Sequence, residues 1–453
     1  MSRPAIAAVI LAAGKGTRMR SDTHKVLHPL AGRPMLFHLM ESLAALKPAA
    51  TVVVVGANRD QVEAAVAGSS AKLATQEPQL GTGHAVMQAQ AELKDFNGDI
   101  LILYGDVPLT PAQDMARLLE RLNSADQPAA VILGFRPPDP GHYGRILADS
   151  DGRISKMVEY KDASAEERAV TLCNSGLMAV RAQDLWSLLA RVENHNAAGE
   201  YYLPDIVMLA LQQGRHACVI ETDALCVAGI NSRAELAAVE AAWQQQRRQQ
   251  AMEEGATLIA PETVFFAHDT KLGRDVVIEP HIVFGPGVTV GDGSRIKAFS
   301  HIEGAEIGKN CEIGPYARLR PGTVLEEKAR VGNFVEMKKT RLGKGAKANH
   351  LTYLGDSDVG AGANIGAGTI TCNYDGFFKY RTQIGSGAFI GSNSALVAPV
   401  VIGDGAIVGA GSVITGDVAA DALAVARGTQ STKQGWASRF RAAMQAKKKA
   451  ETK

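Results

Sequence analysis

The sequence predicts an α/β domain joined through one long helix to a parallel β-helix, and three observations carry that prediction. Before residue 231, short β-branched runs alternate with helical patterns. Residues 232–254 contain neither Pro nor Gly. From Leu272 to Ile414 an aliphatic residue returns at every sixth position, usually followed by Gly.

In the first part, the runs Ile6 to Leu11, Thr51 to Val55, Ile100 to Leu103 and Ala130 to Leu133 alternate with helical patterns, which argues for a mostly parallel sheet with helices on its faces. Ligands of such folds gather at the carboxyl ends of the strands. Two strands end there in polar turn motifs: Leu11 runs into Gly14-Lys15-Gly16-Thr17-Arg18, and Leu103 into Tyr104-Gly105-Asp106. The glycine loop has the spacing of neither GxGxxG nor GxxxxGK[ST]. Its chemistry nevertheless suits phosphate, because glycines admit the backbone to close approach and Lys15, Arg18 and Lys25 supply charge. Arg18 is a candidate for stabilising a transferring phosphoryl group. Asp106 is a candidate for holding Mg²⁺ against phosphates, although a strand-end Asp taken alone is more often a cap or turn former.

The connector, rich in Ala, Glu, Gln and Arg, opens on Ser232 with Glu235 three residues on, a capping-box pattern. Domains are therefore expected at 1–231 and 255–453, with a helical linker over 232–254. A six-residue period fits neither a 3.6-residue helix nor a hairpin meander, but it fits a solenoid with one short strand per repeat. Leu272, Ile278, Phe284, Val290, Ile296 and Ile302 keep the spacing, as do Ile384, Ile390, Leu396, Ile402, Val408 and Ile414. It shortens to five at Ile302 to Ile307, Met337 to Leu342 and Leu354 to Val359. Between Thr371 and Ile384, thirteen residues replace six, which predicts a loop from Cys372 to Gln383 thrown out of the wall. His350 follows the core position Ala348 beside a broken step, Arg320 and Lys338 suit a phosphate, and Tyr353, Asn364 and Lys379 suit a sugar. Imidazole is a fitting base for amine acylation, while a lone histidine is more often structural.

At 453 residues with 46% hydrophobic content, the chain reads as two or three soluble domains. Lys+Arg 48 against Asp+Glu 47 leaves no field to draw nucleic acid. Five cysteines with no CxxC pair indicate reduced thiols and a cytoplasmic location, and argue against zinc. The apolar opening Ala5 to Ala13 reads as a buried strand rather than a signal segment, and no stretch approaches the roughly 20 apolar residues that span a bilayer. Lys447-Lys448-Lys449 reads as a solvated, frayed end.

Leu11 to Met19, Lys25-Val26-Leu27, Gln76, Gly81-Thr82, Tyr104-Gly105-Asp106, Tyr143-Gly144-Arg145-Ile146, Glu159, Asn174-Ser175-Gly176 and Gly229-Ile230-Asn231 resemble sugar-nucleotide pyrophosphorylases. Joined to a solenoid carrying Asn349 to Tyr353 and Gly366 to Gly376, the chain resembles the bacterial bifunctional N-acetylglucosamine-1-phosphate uridylyltransferase/glucosamine-1-phosphate N-acetyltransferases over nearly its whole length. It departs at His24, where the family usually has Pro before the loop lysine. Little effect is expected, since Lys25 carries the charge.

The resemblance implies a Rossmann-like nucleotidyltransferase domain, a left-handed β-helix and a homotrimer. It implies that Lys25 and Arg18 serve uridylyl transfer, and that uracil and ribose lie along Leu11, Ala12, Ala13 and Gly14 with Gln76, Gly81 and Thr82. Tyr104 and Gly105 complete that site, the sugar meets Gly144, Glu159 and Asn174, and Mg²⁺ binds Asp106 and Asn231. It further implies that His350 is the base for glucosamine-1-phosphate held by Arg320, Lys338, Tyr353, Asn364 and Lys379. Acetyl-CoA would contact Ala367, Asn373, Tyr374, Ser392, Ala410 and Arg427. The substrates would be glucosamine-1-phosphate, N-acetylglucosamine-1-phosphate, UTP and acetyl-CoA, with no nucleic acid or membrane partner. A pyrophosphorylase whose β-helix only assembles or regulates, and a non-catalytic scaffold, stand as alternatives.

Overall fold

Runs of Val, Ile, Leu and Ala too continuous to alternate are buried on both faces of a parallel sheet, and Ile6–Ala12, buried from Ala7 onward, is the first of them. The computed structural model describes residues 4–56 and 58–451. The chain divides into two units, the second beginning at Arg248.

In the first unit Ile6–Ala12 pairs in parallel with Ala50–Val55 and with Asp99–Tyr104, and Ala50–Val55 pairs in parallel with Lys72–Thr75. Ala130–Phe135 pairs in parallel with Cys218–Thr222. The four runs expected to be strands are strands. Between the two parallel groups lies Cys173–Arg181, antiparallel to both neighbours, and a hairpin of Arg145–Ala148 and Ile154–Val158 adds to it. The period-2 alternation of side chains splits the core. Val9, Val52 and Ile100 pack on one face with Leu185 and Ile206. Ile10, Val53 and Leu101 pack on the other with Leu36, Leu39 and Leu118. Burying each such Leu or Ile contributes about 1.5–3 kcal/mol.

The helix expected over 232–254 is present as Arg233–Glu253, and the division between the two units falls within it rather than at its ends. Its capping box is reciprocal: the Glu235 N–H donates to Ser232 Oγ at 3.2 Å, and the Ser232 N–H donates to Glu235 Oε2 at 3.0 Å.

The second unit is built of three parallel sheets of ten, nine and eight short strands. Val277 pairs with Arg295, a coil of eighteen residues, or three hexapeptides. Arg295 pairs with Glu312, seventeen residues on, where the step from Ile302 to Ile307 is short. Asn364 pairs with Phe389, twenty-five residues on, because the loop lies inside that coil. The core positions Ile302, Ile307, Met337, Leu342, Leu354 and Val359 are all buried, so short steps shorten corners and leave the wall in register. One corner carries His281, Phe299, Tyr316 and Phe334, all at positive φ, stacked at 4.8, 5.0 and 5.2 Å between centroids.

The tail differs from expectation. Trp436–Glu451 is a helix with no buried residue rather than a frayed end. Ala, Arg, Gln and Lys are strong helix formers, and Lys448 and Lys449 suit the negative end of the dipole. Among the described residues, no helix is long and apolar enough to cross a membrane.

Candidate active sites

In the first unit, the carboxyl ends of Ile6–Ala12 and Asp99–Tyr104 open on a cavity of about 340 Å³. Its wall includes Leu11, Ala12, Ala13, Gly14, Lys25, Gln76, Gly81, Thr82, Tyr104 and Asp106, all expected from sequence, together with Gln79 and Glu200, which were not. Gly105 lies behind it, its N–H donating to Leu11 O at 2.9 Å. Lys25 reaches the cavity from the short 3₁₀ turn Lys25–Leu27. Its Nζ donates to the Asp106 carboxylate and, at 3.0 Å, to Asn231 Oδ1. Two hard oxygen donors, 125 residues apart in sequence (231 less 106), therefore meet at one cation. Gly16, at φ 60, lets the glycine loop pass over Lys25, since a Cβ there would lie 2.8 Å from Lys25 Cβ. Arg18 stands exposed in the turn Thr17–Met19, outside the cavity wall.

Gly144, Glu159 and Asn174 also come together. A Cβ on Gly144 would sit 3.2 Å from Glu159 Oε1, and the Asn174 N–H donates to Gly144 O at 2.9 Å. Glu159 faces a second cavity of about 770 Å³ with Asp162, Tyr202 and Asp205. Burial, then Asp205 and Asp162, pushes the Glu159 carboxyl up. Burial, then Glu159 and Asp106, holds the Tyr104 phenol far above its usual range, while a hydrogen bond with Thr82 opposes that shift. Tyr104 is thus a neutral group that both carboxylates act on.

Burial and the Asp162 charge push Asp205 up to about 6. The folded protein therefore holds this proton more tightly than the unfolded chain, whose aspartates titrate near 4. The associated stability is present below about pH 4 and is lost as pH rises through about 6. Asp205→Asn is expected to flatten the fall in urea midpoint between pH 4 and 6. An unchanged slope would refute the assignment.

In the second unit, the strand Lys347–His350 ends at a corner and Tyr353–Gly355 begins the next wall. His350 is exposed, and its Nδ1 lies 2.8 Å from Asn333 Oδ1, one coil back in the ladder. Since an amide oxygen only accepts, this contact calls for the proton on Nδ1 and leaves Nε2 without one. Lys338 stands in register with Gly355. A Cβ on Gly355 would meet Tyr353 Oη at 2.5 Å and Asn373 Nδ2 at 2.6 Å, so both side chains converge above it. Lys379, from the extruded loop, and Arg320 crowd Lys338 and push its ammonium down, Lys379 most strongly. Arg320 in turn donates to Glu336 at 2.7 Å. Lys338 and Lys379 with Arg320 nearby, only the last of them held by a carboxylate among the described residues, make a place for an anion. Asn364 lies in the neighbouring sheet, paired with Lys347.

The residues expected at acetyl-CoA trace one corner below His350. The Gly368 N–H donates to His350 O at 3.3 Å, Asn393 to Ala367 O at 2.7 Å, and Gly411 to Ser392 O at 2.8 Å. Arg427 then donates to Ala410 O at 2.6 Å. Asn373 is fixed by donating to Asp356 Oδ2 at 2.6 Å. Tyr374 bridges to Lys379 across the loop. Sequence reading missed Asn333, Glu336 and Asp356. Counting back one seventeen-residue coil from His350 and Tyr353 finds the first two.

The MobA-like NTP transferase domain model matches residues 8–255, and the bacterial transferase hexapeptide model matches 269–304 and 381–416. A "Bifunctional protein GlmU" of Sphingopyxis alaskensis is 66% identical over 453 residues, all of both chains. Another, of Rhizorhabdus wittichii, is 68% identical over 444 residues, 98% of each chain. The chain belongs to the bifunctional GlmU family. A third GlmU, of Zymomonas mobilis, is 62% identical over 436 residues, 96% of this chain and 97% of its own. As a member of that family, the chain is a uridylyltransferase and acetyltransferase of UDP-N-acetylglucosamine synthesis. Its repeats form the left-handed hexapeptide β-helix.

Proposed function

We propose that the two activities are carried by the two residue sets described, with acetylation of glucosamine-1-phosphate preceding uridylylation of the product. The observation that carries this reading is the pair of cation-centred clusters, Lys25 with Asp106 and Asn231 in one unit, and Lys338 with Lys379 and Arg320 in the other.

In the uridylyl site, the backbone of Leu11 to Gly14, with Gln76, Gly81 and Thr82, holds uracil and ribose, and Gly105 leaves room beside them. The sugar rests on Gly144, Glu159 and Asn174. Lys25 and Arg18 neutralise charge on the phosphates while the sugar-phosphate oxygen attacks the α-phosphorus in line and pyrophosphate leaves. Asp106 and Asn231 would hold Mg²⁺. The donor set fits, because a carboxylate and an amide oxygen already converge on a cationic centre. When bound, the ion supplies charge neutralisation at the phosphates.

In the acetyl site, Arg320 and Lys338 take the sugar phosphate, and Tyr353, Asn364 and Lys379 orient the ring. His350 Nε2 removes the ammonium proton so that the amine attacks the thioester directly. Acetyl-CoA lies along Ala367, Ser392, Ala410 and Arg427 under Asn373 and Tyr374. A homotrimer is the proposed assembly, supported by the exposed Phe389, Ile407 and Leu423 on one sheet. The cytoplasm is the proposed location, supported by five free cysteines.

The test supplies glucosamine-1-phosphate, acetyl-CoA, UTP and Mg²⁺, and follows CoA thiol and pyrophosphate separately. Both are expected, and a chelator is expected to stop pyrophosphate release while CoA release continues. Pyrophosphate from N-acetylglucosamine-1-phosphate without CoA release from glucosamine-1-phosphate would leave the β-helix a scaffold.

A further inference from the structure

The segment that delivers Lys25 is exposed from Arg20 to Thr23, so packing does little to fix it. Gln61 does more. Gln61, on the helix Arg59–Val66, accepts from the His24 N–H at 2.8 Å through Oε1 and donates to Asp22 O at 2.8 Å through Nε2. Both ends of one amide thus grip alternate backbone groups of the same segment. Gln61 is itself exposed, whereas the helix buries Val62 and Val66. Its hydrogen bonds therefore serve the segment rather than the core.

From His24 the grip passes directly to Lys25. The His24 ring accepts from the Val26 N–H and its carbonyl accepts from the Leu27 N–H at 2.9 Å, closing the turn that carries Lys25. Lys25 then reaches Asp106 and Asn231.

We infer that Gln61 is a positioning residue for uridylyl transfer, holding the 22–24 backbone so that the Lys25 ammonium meets the phosphates. The inference rests on the proposed role of Lys25. It depends on position 24 having an N–H, which Pro lacks. His24 lies at φ −56, close to the proline value, so His24→Pro deletes that donor without forcing the backbone. His24→Ala deletes the ring and keeps the donor.

The test measures kcat and KM for UTP in Gln61→Ala made in the native chain, in His24→Ala and in His24→Pro, with acetyl transfer as the internal control. Loss of a hydrogen bond of ordinary net strength is expected to lower uridylyl kcat about 2- to 10-fold. KM should move less, and acetyl transfer should not change. The same loss should recur in His24→Ala and shrink in His24→Pro, the non-additivity expected of groups in contact. An unchanged uridylyl kcat in Gln61→Ala, or equal losses in all three backgrounds, would overturn the inference. Lys25→Ala separates the two levels. If it retains uridylyl transfer, the role of Lys25 itself is wrong; if it loses transfer while Gln61→Ala is unaffected, the positioning role alone fails.

Discussion

His350→Ala is expected to lower acetyl transfer by about 10²- to 10⁴-fold, the usual contribution of a positioned general base, and to leave uridylyl transfer from N-acetylglucosamine-1-phosphate intact. The imidazole is exposed at the end of a two-sided wall, so its removal opens no core cavity. Its defined contact, with Asn333 at 2.8 Å, fixes which nitrogen is free. Asn333→Ala should therefore lower acetyl kcat by less than His350→Ala. CoA release followed with a thiol reagent, beside pyrophosphate release on the same preparation, reads both activities. Equal loss of both in folded protein would sink the two-site reading.

Asp106→Ala is expected to do the reverse, lowering uridylyl transfer by about 10²- to 10³-fold, the scale on which removal of one preorganised electrostatic group acts. The Lys25 and Asp106 side chains are 11% and 15% exposed, so the carboxylate is little screened by water. Its loss removes one of the two oxygens at Lys25 Nζ and half of the proposed metal donor set. Acetyl transfer should be unaffected, as His350 and its partners lie wholly in the other unit. A variant that still releases pyrophosphate at the native rate, with or without added Mg²⁺, would remove Asp106 from the site.

Much of this arrangement was legible in the chain because repeats and turns are local. The six-residue period foretold the β-helix, and the structure puts its short steps in coils of seventeen residues, as where Arg330 pairs with Lys347. Gly14 to Arg18 and Tyr104 to Asp106 sit where strands end, which is where α/β folds place ligands. Contacts made across the fold were less visible. Asn333, Asp356 and Gln61 act through partners 17, 17 and 37 residues away, and nothing in their immediate surroundings marks them. The strand Cys173–Arg181 escaped because its Asn-Ser-Gly segment, where the pairing register shifts, has no β-branched run. His24 looked like a neutral departure when only the charge of Lys25 was weighed; its N–H is what a proline would have removed.

The loop expected over Cys372 to Gln383 is shorter at both ends, since Cys372 pairs with Val397 and Ser357, Asp358 and Val359 pair onward with Thr382, Gln383 and Ile384; only residues 373–381 leave the wall, and they do so without disturbing it. The scaffold therefore counts only the residues that stack, and is indifferent to how many are spent between them. Length and sequence at that excursion can change, and with them the fit to the acyl donor proposed for it, while the coils above and below keep their pairing. The excursion is a detour on a track that continues unbroken.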